Sequence, residues 1–321
     1  MKLGVFTPVF GGLPLGQMLD RVAELGLDGI ELAAGGYPGT AHADPAALLA
    51  DPAKLETLKR ELAARNLEVL AVSVHGNPLH PDEARARKDH EDYRRALELA
   101  ARLEVQTVVT FSGCPGGAAG DRTPNWITAV WPPEFMTALD WQWNERVIPY
   151  WQREAAHLER LGLRVALELH PGFVAYTPAT LLKLRAATGD TIGVNLDPSH
   201  LYWQGIDPLV AVRELKGAIH HFHAKDNLLH PQNIARNGVL DLTPYDRIQE
   251  RSWTFRSVGS GHDELHWSQL MAELRLAGYD GAISIEHEDA LMSMDEGLGR
   301  AVGTLKRVVL REPAAEAWWL T

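Results

Sequence analysis

Apolar residues along the chain fall into eight short runs that have the length and the β-branched content of strands. Each run is followed by a longer segment in which apolar residues recur every three or four positions, as in amphipathic helices. The runs are KLGVFT (2–7), GIEL (29–32), EVLAVSV (68–74), TVVTF (107–111), RVALEL (164–169), IGVNLD (192–197), AIHHFH (218–223) and AISIE (282–286). The pattern predicts a succession of parallel βα units.

Eight βα units in one chain favour closure into a (β/α)8 TIM barrel. Several helical segments end in Gly just before the next strand, as in ELGLDGIEL and LAGYDGAISI, which is typical of a helix C-cap that leads into a strand. A length of 321 residues suits either one barrel or two average domains, but no low-complexity tract or linker divides the chain. We therefore predict a single TIM-barrel domain over residues 1–321.

Two segments are longer than a minimal barrel needs: residues 113–138 after the fourth strand and residues 226–262 after the seventh. Both follow a strand and precede a helix, and active sites of barrels are built on that face. The first contains Trp126 and Trp131 in a Pro-rich stretch, where they form either a lid that contacts substrate or ordinary packing. We list both as candidate substrate contacts.

Three arginines of the second long segment are candidates for contact with an anionic group. They are Arg236, Arg251 and Arg256. Because charged residues of long loops are usually hydrated, we expect all three to be solvated loop charges.

Composition and charge narrow the class of partner. The net charge of −11 and the absence of a basic run disfavour a nucleic-acid partner. No stretch reaches the roughly 20 apolar residues of a membrane span, and the start MKLGVFTPVFGGLPLG suits a first strand better than an export signal. With the lone Cys114 there is no internal disulfide, so the cytoplasm is the expected location and a small molecule the expected ligand.

Four of the predicted strands end in carboxylates and imidazoles. Alternate side chains of a strand face opposite sides, so the outward leucines 167 and 169 leave Glu168 and His170 facing the barrel axis. The same parity turns three further pairs of positions inward at other strand ends: Asn195 and Asp197, His221 and His223, and Ser284 and Glu286. Burial of several such groups is costly unless they share a cation, and a mixed oxygen and nitrogen set suits Mn²⁺, Mg²⁺, Co²⁺ or Zn²⁺.

The blocks LELHPG, GVNLDPSH, HFHAKD and GYDGAISIEHED resemble those of the xylose-isomerase-like TIM-barrel superfamily, which contains sugar isomerases and epimerases, inosose dehydratase and endonuclease IV. The resemblance implies one divalent metal ion, for which we expect Mn²⁺ first, with ligands that match Glu168, Asp197, His223 and Glu286. It also implies that Glu168 and Glu286 are the catalytic acid/base pair.

Three further polar residues are predicted to bind substrate. His200 matches a substrate-contacting histidine of the superfamily, and His200 or Lys225 suits a hydroxyl or developing oxyanion. His75, at the end of the third strand, is either a substrate contact or a loop cap. The chain departs from the nuclease branch at Ser112, where that branch has a metal-binding histidine, and this weakens the nuclease interpretation.

The leading hypothesis is a divalent-metal-dependent sugar isomerase or epimerase that removes a proton next to a carbonyl and passes through an enediolate. The alternative is a lyase or dehydratase that uses the same site on a keto-sugar, a keto-inositol or a 3-keto-glycoside, including carbon-linked ones. A third hypothesis is a non-catalytic barrel that binds sugar or metal.

The apolar tail EAWWLT (316–321) is expected to pack on its own barrel or on a second subunit, which would make a homo-oligomer.

Overall fold

Parallel strands close into a barrel in the computed structural model, which describes residues 1–314 and residue 319. The strands are β1 (Lys2–Phe6), β2 (Gly29–Gly36), β3 (Glu68–His75), β4 (Thr107–Phe111), β5 (Arg164–Glu168), β6 (Ile192–Leu196), β7 (Ile219–Ala224), β8 (Asp226–Leu229), β9 (Trp253–Arg256) and β10 (Ala282–Ile285). The order around the barrel is β1, β10, β7, β6, β5, β4, β3, β2, and β1 pairs with β10 from Lys2 opposite Ala282. The predicted (β/α)8 barrel is confirmed.

Helices follow the strands and cover the outside of the barrel. They are α1 (Leu15–Glu24), α2 (Pro45–Ala50), α3 (Pro52–Ala63), α4 (Glu83–Arg102), α5 (Pro133–Trp141), α6 (Ile148–Leu161), α7 (Pro178–Thr188), α8 (Pro198–Tyr202), α9 (Pro208–Glu214), α10 (Pro231–Asn237), α11 (Glu264–Leu276) and α12 (Met294–Val308). Many start after an aspartate cap; Asp82 Oδ1, for example, accepts hydrogen bonds from the backbone N of Ala84 and Arg85 before α4. Within residues 1–314, no helix is long and apolar enough to cross a membrane.

Strand alternation divides the core into two parts. Outward residues such as Val165 and Leu167 are fully buried in the main core between barrel and helices. Inward residues Ala71, Val109 and Ala166 form a separate small apolar group inside the barrel. Polar side chains lie nearer the carboxyl ends of the strands, so the barrel interior changes from apolar to charged along its axis.

The long segment after β7 has a structure of its own. β8 and β9 form an antiparallel two-stranded sheet, with Asp226 opposite Arg256. The buried Asp226 Oδ2 accepts backbone hydrogen bonds from Gly259, Gly261 and His262 at 2.9–3.1 Å. One buried carboxylate therefore ties both ends of this segment, residues 226–262, which we call the insertion.

One expectation about the insertion is wrong. Arg251 is not a solvated loop charge, since it is 2% exposed and its guanidinium lies over the rings of Tyr245 and Trp253. Arg256 is partly buried and pairs with Asp289 at 3.0 Å, whereas Arg236 is exposed as expected. Aromatic neighbours inside the insertion, which the sequence alone did not reveal as neighbours, account for the burial of Arg251.

The tail (316–321), for which docking is predicted, lies outside the described residues except for Trp319.

Candidate functional site

Four predicted metal ligands meet at the carboxyl ends of the barrel strands. Glu168 ends β5, Asp197 follows β6, His223 lies near the end of β7 and Glu286 follows β10. Parallel strands in a barrel place these ends on one face. One ligand atom from each of the four residues lies within 4.8 Å of those from the others. We call this group the strand-end cluster.

His223 lies between the two glutamates of the strand-end cluster. Its Nδ1 is 2.9 Å from Glu286 Oε2 and 3.5 Å from Glu168 Oε2. Glu168 is also contacted by His75 Nε2 at 3.0 Å, by His200 Nε2 at 3.1 Å and by Asn195 Nδ2 at 3.2 Å. The structure therefore brings the predicted substrate contacts His75 and His200 to the predicted base Glu168.

Asp197 provides an observation that favours a cation. Its Oδ1 accepts a hydrogen bond from the Ser199 backbone at 2.8 Å, but its Oδ2 is buried and has no hydrogen-bond partner among the described residues. His200 Nε2 lies 3.4 Å from this Oδ2, but its hydrogen bond goes to Glu168. Burial raises the pKa of Asp197 to about 6. A buried carboxylate oxygen without a donor is costly, and a divalent ion would satisfy it. Three carboxylates and one imidazole are a suitable donor set for Mn²⁺, Mg²⁺ or Zn²⁺.

The two glutamates are held in their ionised forms. Burial raises the pKa of Glu168, but hydrogen bonds from His200 and His75 outweigh it and hold that pKa well below its usual value. Burial likewise opposes ionisation of Glu286, yet Lys225 and His223 lower its pKa to about 2. Both side chains are therefore carboxylates at neutral pH, able to bind a cation or to accept a proton.

Lys225 brings a buried positive charge to the same place. Its Nζ lies 3.3 Å from Glu286 Oε1 and 2.5 Å from Glu288 Oε2. Burial lowers the pKa of Lys225, but Glu286 and Glu288 outweigh it and raise the pKa well above its usual value. The ammonium therefore stays charged, and it can face an oxygen that gains negative charge.

Glu31 on β2 was not among the predicted site residues. It is fully buried, and its carboxylate contacts His223 Nε2, His221 Nε2 and the Ser73 hydroxyl. Burial raises the pKa of Glu31, but His223 and His221 lower it well below its usual value. The sequence feature that could have identified Glu31 is its position as a single carboxylate between Ile30 and Leu32 in an otherwise apolar strand.

A cavity of about 270 Å³ opens above the strand-end cluster, and we call it the cluster cavity. Glu168, Glu286, His75 and Lys225 line it. Its apolar walls come from Phe6, Tyr37 and Phe111. Charged groups at the base and aromatic walls suit a small polar ligand such as a sugar.

The structure does not bring Trp126 and Trp131 to the cluster cavity. The Trp126 ring packs edge-on against Tyr176, with centroids 5.3 Å apart, and it lines a different cavity beside Trp143. Trp131 is 75% exposed. The role of both tryptophans as substrate contacts remains a prediction. In the cluster cavity, the aromatic surface is provided by Phe6, Tyr37 and Phe111.

Comparisons with known proteins agree with this geometry. The family model described as xylose isomerase-like TIM barrel matches residues 19–308. The chain is 38% identical to YfiH of Bacillus subtilis (strain 168) over 313 residues, which cover 96% of this chain and 99% of YfiH.

Two solved structures share the fold at low sequence identity. The probable 3-DHS dehydratase AsbF of Bacillus anthracis superposes with a TM-score of 0.65 at 19% identity, covering 97% of this chain and 100% of AsbF. The 3-keto-D-glucoside 4-epimerase YcjR of E. coli superposes with a TM-score of 0.64 at 15% identity, covering 96% of this chain and 98% of YcjR.

Proposed function

Because the chain belongs to the xylose isomerase-like TIM barrel family, we propose that it is a divalent-metal-dependent sugar isomerase or epimerase. The reaction begins with removal of a proton next to a carbonyl and passes through an enediolate. The observation that best supports this proposal is the pairing of two ionised glutamates, Glu168 and Glu286, around His223 at the base of the cluster cavity.

The strand-end cluster would hold the metal ion, for which we propose Mn²⁺. When bound, such an ion supplies Lewis-acid stabilisation of a carbonyl oxygen. Glu168 and Glu286 are the proposed proton acceptor and donor, since general acid/base catalysis requires carboxylates within reach of the same substrate carbon. Their lowered pKa values keep both as carboxylates in the free protein, so either can accept the substrate proton and the donor first takes up a proton from solvent.

The remaining polar residues position the substrate. His75 and His200 each place Nε2 within 3.1 Å of Glu168, so they orient that carboxylate and can exchange this contact for a sugar hydroxyl. Lys225 lies on the side of Glu286 and is the proposed partner of an oxygen that becomes negative. A 3-keto-D-glucoside epimerase with the same fold supports a carbonyl-bearing sugar as substrate.

A lyase that eliminates water or an aglycone from a keto-sugar or keto-glycoside is the second candidate. It needs the same first proton removal but also room for a leaving group. A second cavity of about 440 Å³ adjoins the cluster cavity, and His170 and Glu288 line both. The fold shared with a probable dehydratase supports this candidate as well.

Mass spectrometry after incubation in D₂O tests the proposal. The Mn²⁺-loaded protein is incubated with ketohexoses, inosose and 3-keto-glucosides. One added deuterium on an intact skeleton supports isomerase or epimerase chemistry, whereas loss of water or of the aglycone supports the lyase. Absence of deuterium and of elimination from every compound would leave only a binding function.

Two controls accompany this experiment. Protein treated with chelator should exchange no deuterium, because the carbonyl oxygen then lacks its cation. The Glu154→Gln variant should exchange normally, since Glu154 is a buried glutamate that pairs with Arg94 on the outer helices and lies outside the strand-end cluster.

A further inference from the structure

The second cavity is lined mainly by a different part of the chain from the cluster cavity. It measures about 440 Å³ against about 270 Å³, and we call it the insertion cavity because most of its lining comes from residues 245–256. The loop after β10 and His170, which follows β5, supply the rest. His170 and Glu288 line both cavities, so a ligand that fills the cluster cavity can extend directly into the insertion cavity.

The walls of the insertion cavity are flat and apolar. The rings of Tyr245 and Phe255 are stacked, with centroids 5.9 Å apart and planes inclined by 18°. Ile248 and Leu291 add aliphatic surface. Tyr245 and Leu291 are each 60% exposed, which leaves apolar surface uncovered in the free protein. Such walls suit an aromatic ring better than a second sugar.

Arg251 adds a hydrogen-bond donor to this apolar cavity. Its Nε donates to the Trp253 carbonyl at 3.1 Å and its Nη1 donates to the Thr243 carbonyl, whereas its Nη2 has no hydrogen bond among the described residues. In the described part of the chain, no carboxylate oxygen lies within 4.0 Å of its guanidinium. Nη2 is therefore available to donate a hydrogen bond to a ligand oxygen in the cavity.

Phe255 joins the insertion cavity to the proposed chemistry. One side of its ring faces Lys225, whose Nζ lies 4.1 Å from the ring centroid, and its edge meets His200 at 5.5 Å. A group bonded to a sugar in the cluster cavity would therefore pass Phe255 on its way to Tyr245.

We propose that the substrate is a glycoside, with its carbonyl-bearing sugar in the cluster cavity and an aromatic, oxygen-bearing aglycone in the insertion cavity. This inference rests on the proposed function for the sugar end. A cavity of about 150 Å³ holds one benzene ring, so the insertion cavity has room for a fused bicyclic aglycone. Arg251 selects for an oxygen substituent on that aglycone.

Calorimetric binding at saturating Mn²⁺ to the full-length Glu286→Gln protein, which is expected to retain substrate affinity and lose turnover, tests the aglycone site apart from the reaction. The probes are the 3-keto derivatives of methyl β-glucoside and of 4-hydroxyphenyl β-glucoside. We expect the aryl compound to bind at least about tenfold more tightly, because it buries several additional carbons. Leu291→Asp and Tyr245→Ala should reduce this preference to about threefold or less and leave methyl-glucoside binding unchanged.

Leu265→Asp is the matched control, since Leu265 is 66% exposed on α11 and does not line the insertion cavity. It should keep the full aryl preference. Equal binding of the two probes, or an aryl preference that survives both cavity variants, would overturn the inference. Deuterium exchange on the same probes separates the two proposals: exchange without aryl preference refutes only the aglycone site, and aryl preference without exchange or elimination refutes only the reaction.

Discussion

Glu31 binds His223 through both carboxylate oxygens, each 2.9 Å from Nε2 of the imidazole. Because a carboxylate accepts hydrogen bonds, this contact keeps a proton on Nε2 and turns Nδ1 towards Glu286 and Glu168. Burial lowers the pKa of His223, but Glu31 and Glu286 outweigh it and raise that pKa well above its usual value, so a cation bound at Nδ1 would take the place of a proton. Carboxylate–histidine pairs of this kind orient metal-ligating imidazoles in many proteins. Glu31 is thus a positioning residue beneath the strand-end cluster.

Replacing Glu31 by Gln should weaken Mn²⁺ binding by about 10- to 100-fold, because a neutral amide, which can also turn its NH₂ to the imidazole, fixes the tautomer less firmly than a carboxylate. Isothermal titration of the metal-free protein with Mn²⁺ measures this. Glu154→Gln removes a buried glutamate charge elsewhere and should leave the Mn²⁺ affinity unchanged. Equal affinities of Glu31→Gln and the wild-type protein would exclude the positioning role.

Glu286→Gln should lower turnover by about 10²- to 10⁴-fold at saturating Mn²⁺, while substrate affinity is largely retained, because the amide cannot transfer the proton. Initial rates and calorimetric binding of the same substrate separate the two effects. Glu154→Gln is the control, since it removes a buried glutamate charge on the outer helices, away from the strand-end cluster. A Glu286→Gln variant with normal turnover would remove this residue from the acid/base pair.

The buried His220 should make the fold sensitive to acid. Burial lowers the pKa of His220 to about 4, and its Nδ1–H donates to the Val165 carbonyl at 3.0 Å. Between about pH 6.5, where an unfolded histidine titrates, and about pH 4, the unfolded chain binds the additional proton, so the stability from neutral His220 is lost as pH falls.

Urea unfolding at pH 7 and pH 4 measures this loss. The wild-type free energy of unfolding should fall by up to roughly 3 kcal/mol more than that of His220→Gln over this range. An identical pH dependence in the two proteins would show that other groups account for the acid sensitivity.

Asp226→Asn should loosen the insertion without opening the barrel. The neutral amide is a poorer acceptor for the three backbone N–H groups that Asp226 Oδ2 binds, and hydrogen bonds to a charged group contribute about 1.5–3 kcal/mol each. Hydrogen exchange should accelerate in residues 226–262 and stay unchanged in β3 to β6. Asp241→Asn, which removes a charge inside the insertion, should affect only its own neighbourhood around Ser252.

Much of the barrel could be predicted because its signals are local. Apolar runs such as RVALEL and their Gly-capped helices reveal the order of strands and helices, and the parity of each strand shows which side chains face the axis. The convergence of Glu168, Asp197, His223 and Glu286 follows from parallel strands that end on one face.

Other contacts depend on side chains far apart in sequence and carry no local signal. Glu31 and His223 are 192 positions apart, and only barrel closure brings β2 near β7. The burial of Arg251 depends on the fold of the insertion around Tyr245 and Trp253, since nothing in the adjacent sequence distinguishes it from a hydrated arginine. For the same reason, the Pro-rich stretch around Trp126 did not reveal that its ring packs on Tyr176.

The anchoring of the insertion by Asp226 has a consequence for divergence and engineering. The two strands of the insertion, β8 and β9, pair with each other and not with the barrel. The insertion is therefore a module attached at the end of β7. If the two proposals hold, exchanging residues 227–258 for those of a relative, with Asp226 and Gly259–His262 retained, should change which molecules are accepted and leave the proton chemistry in place. Selectivity and reactivity would then be separately evolvable in a single barrel.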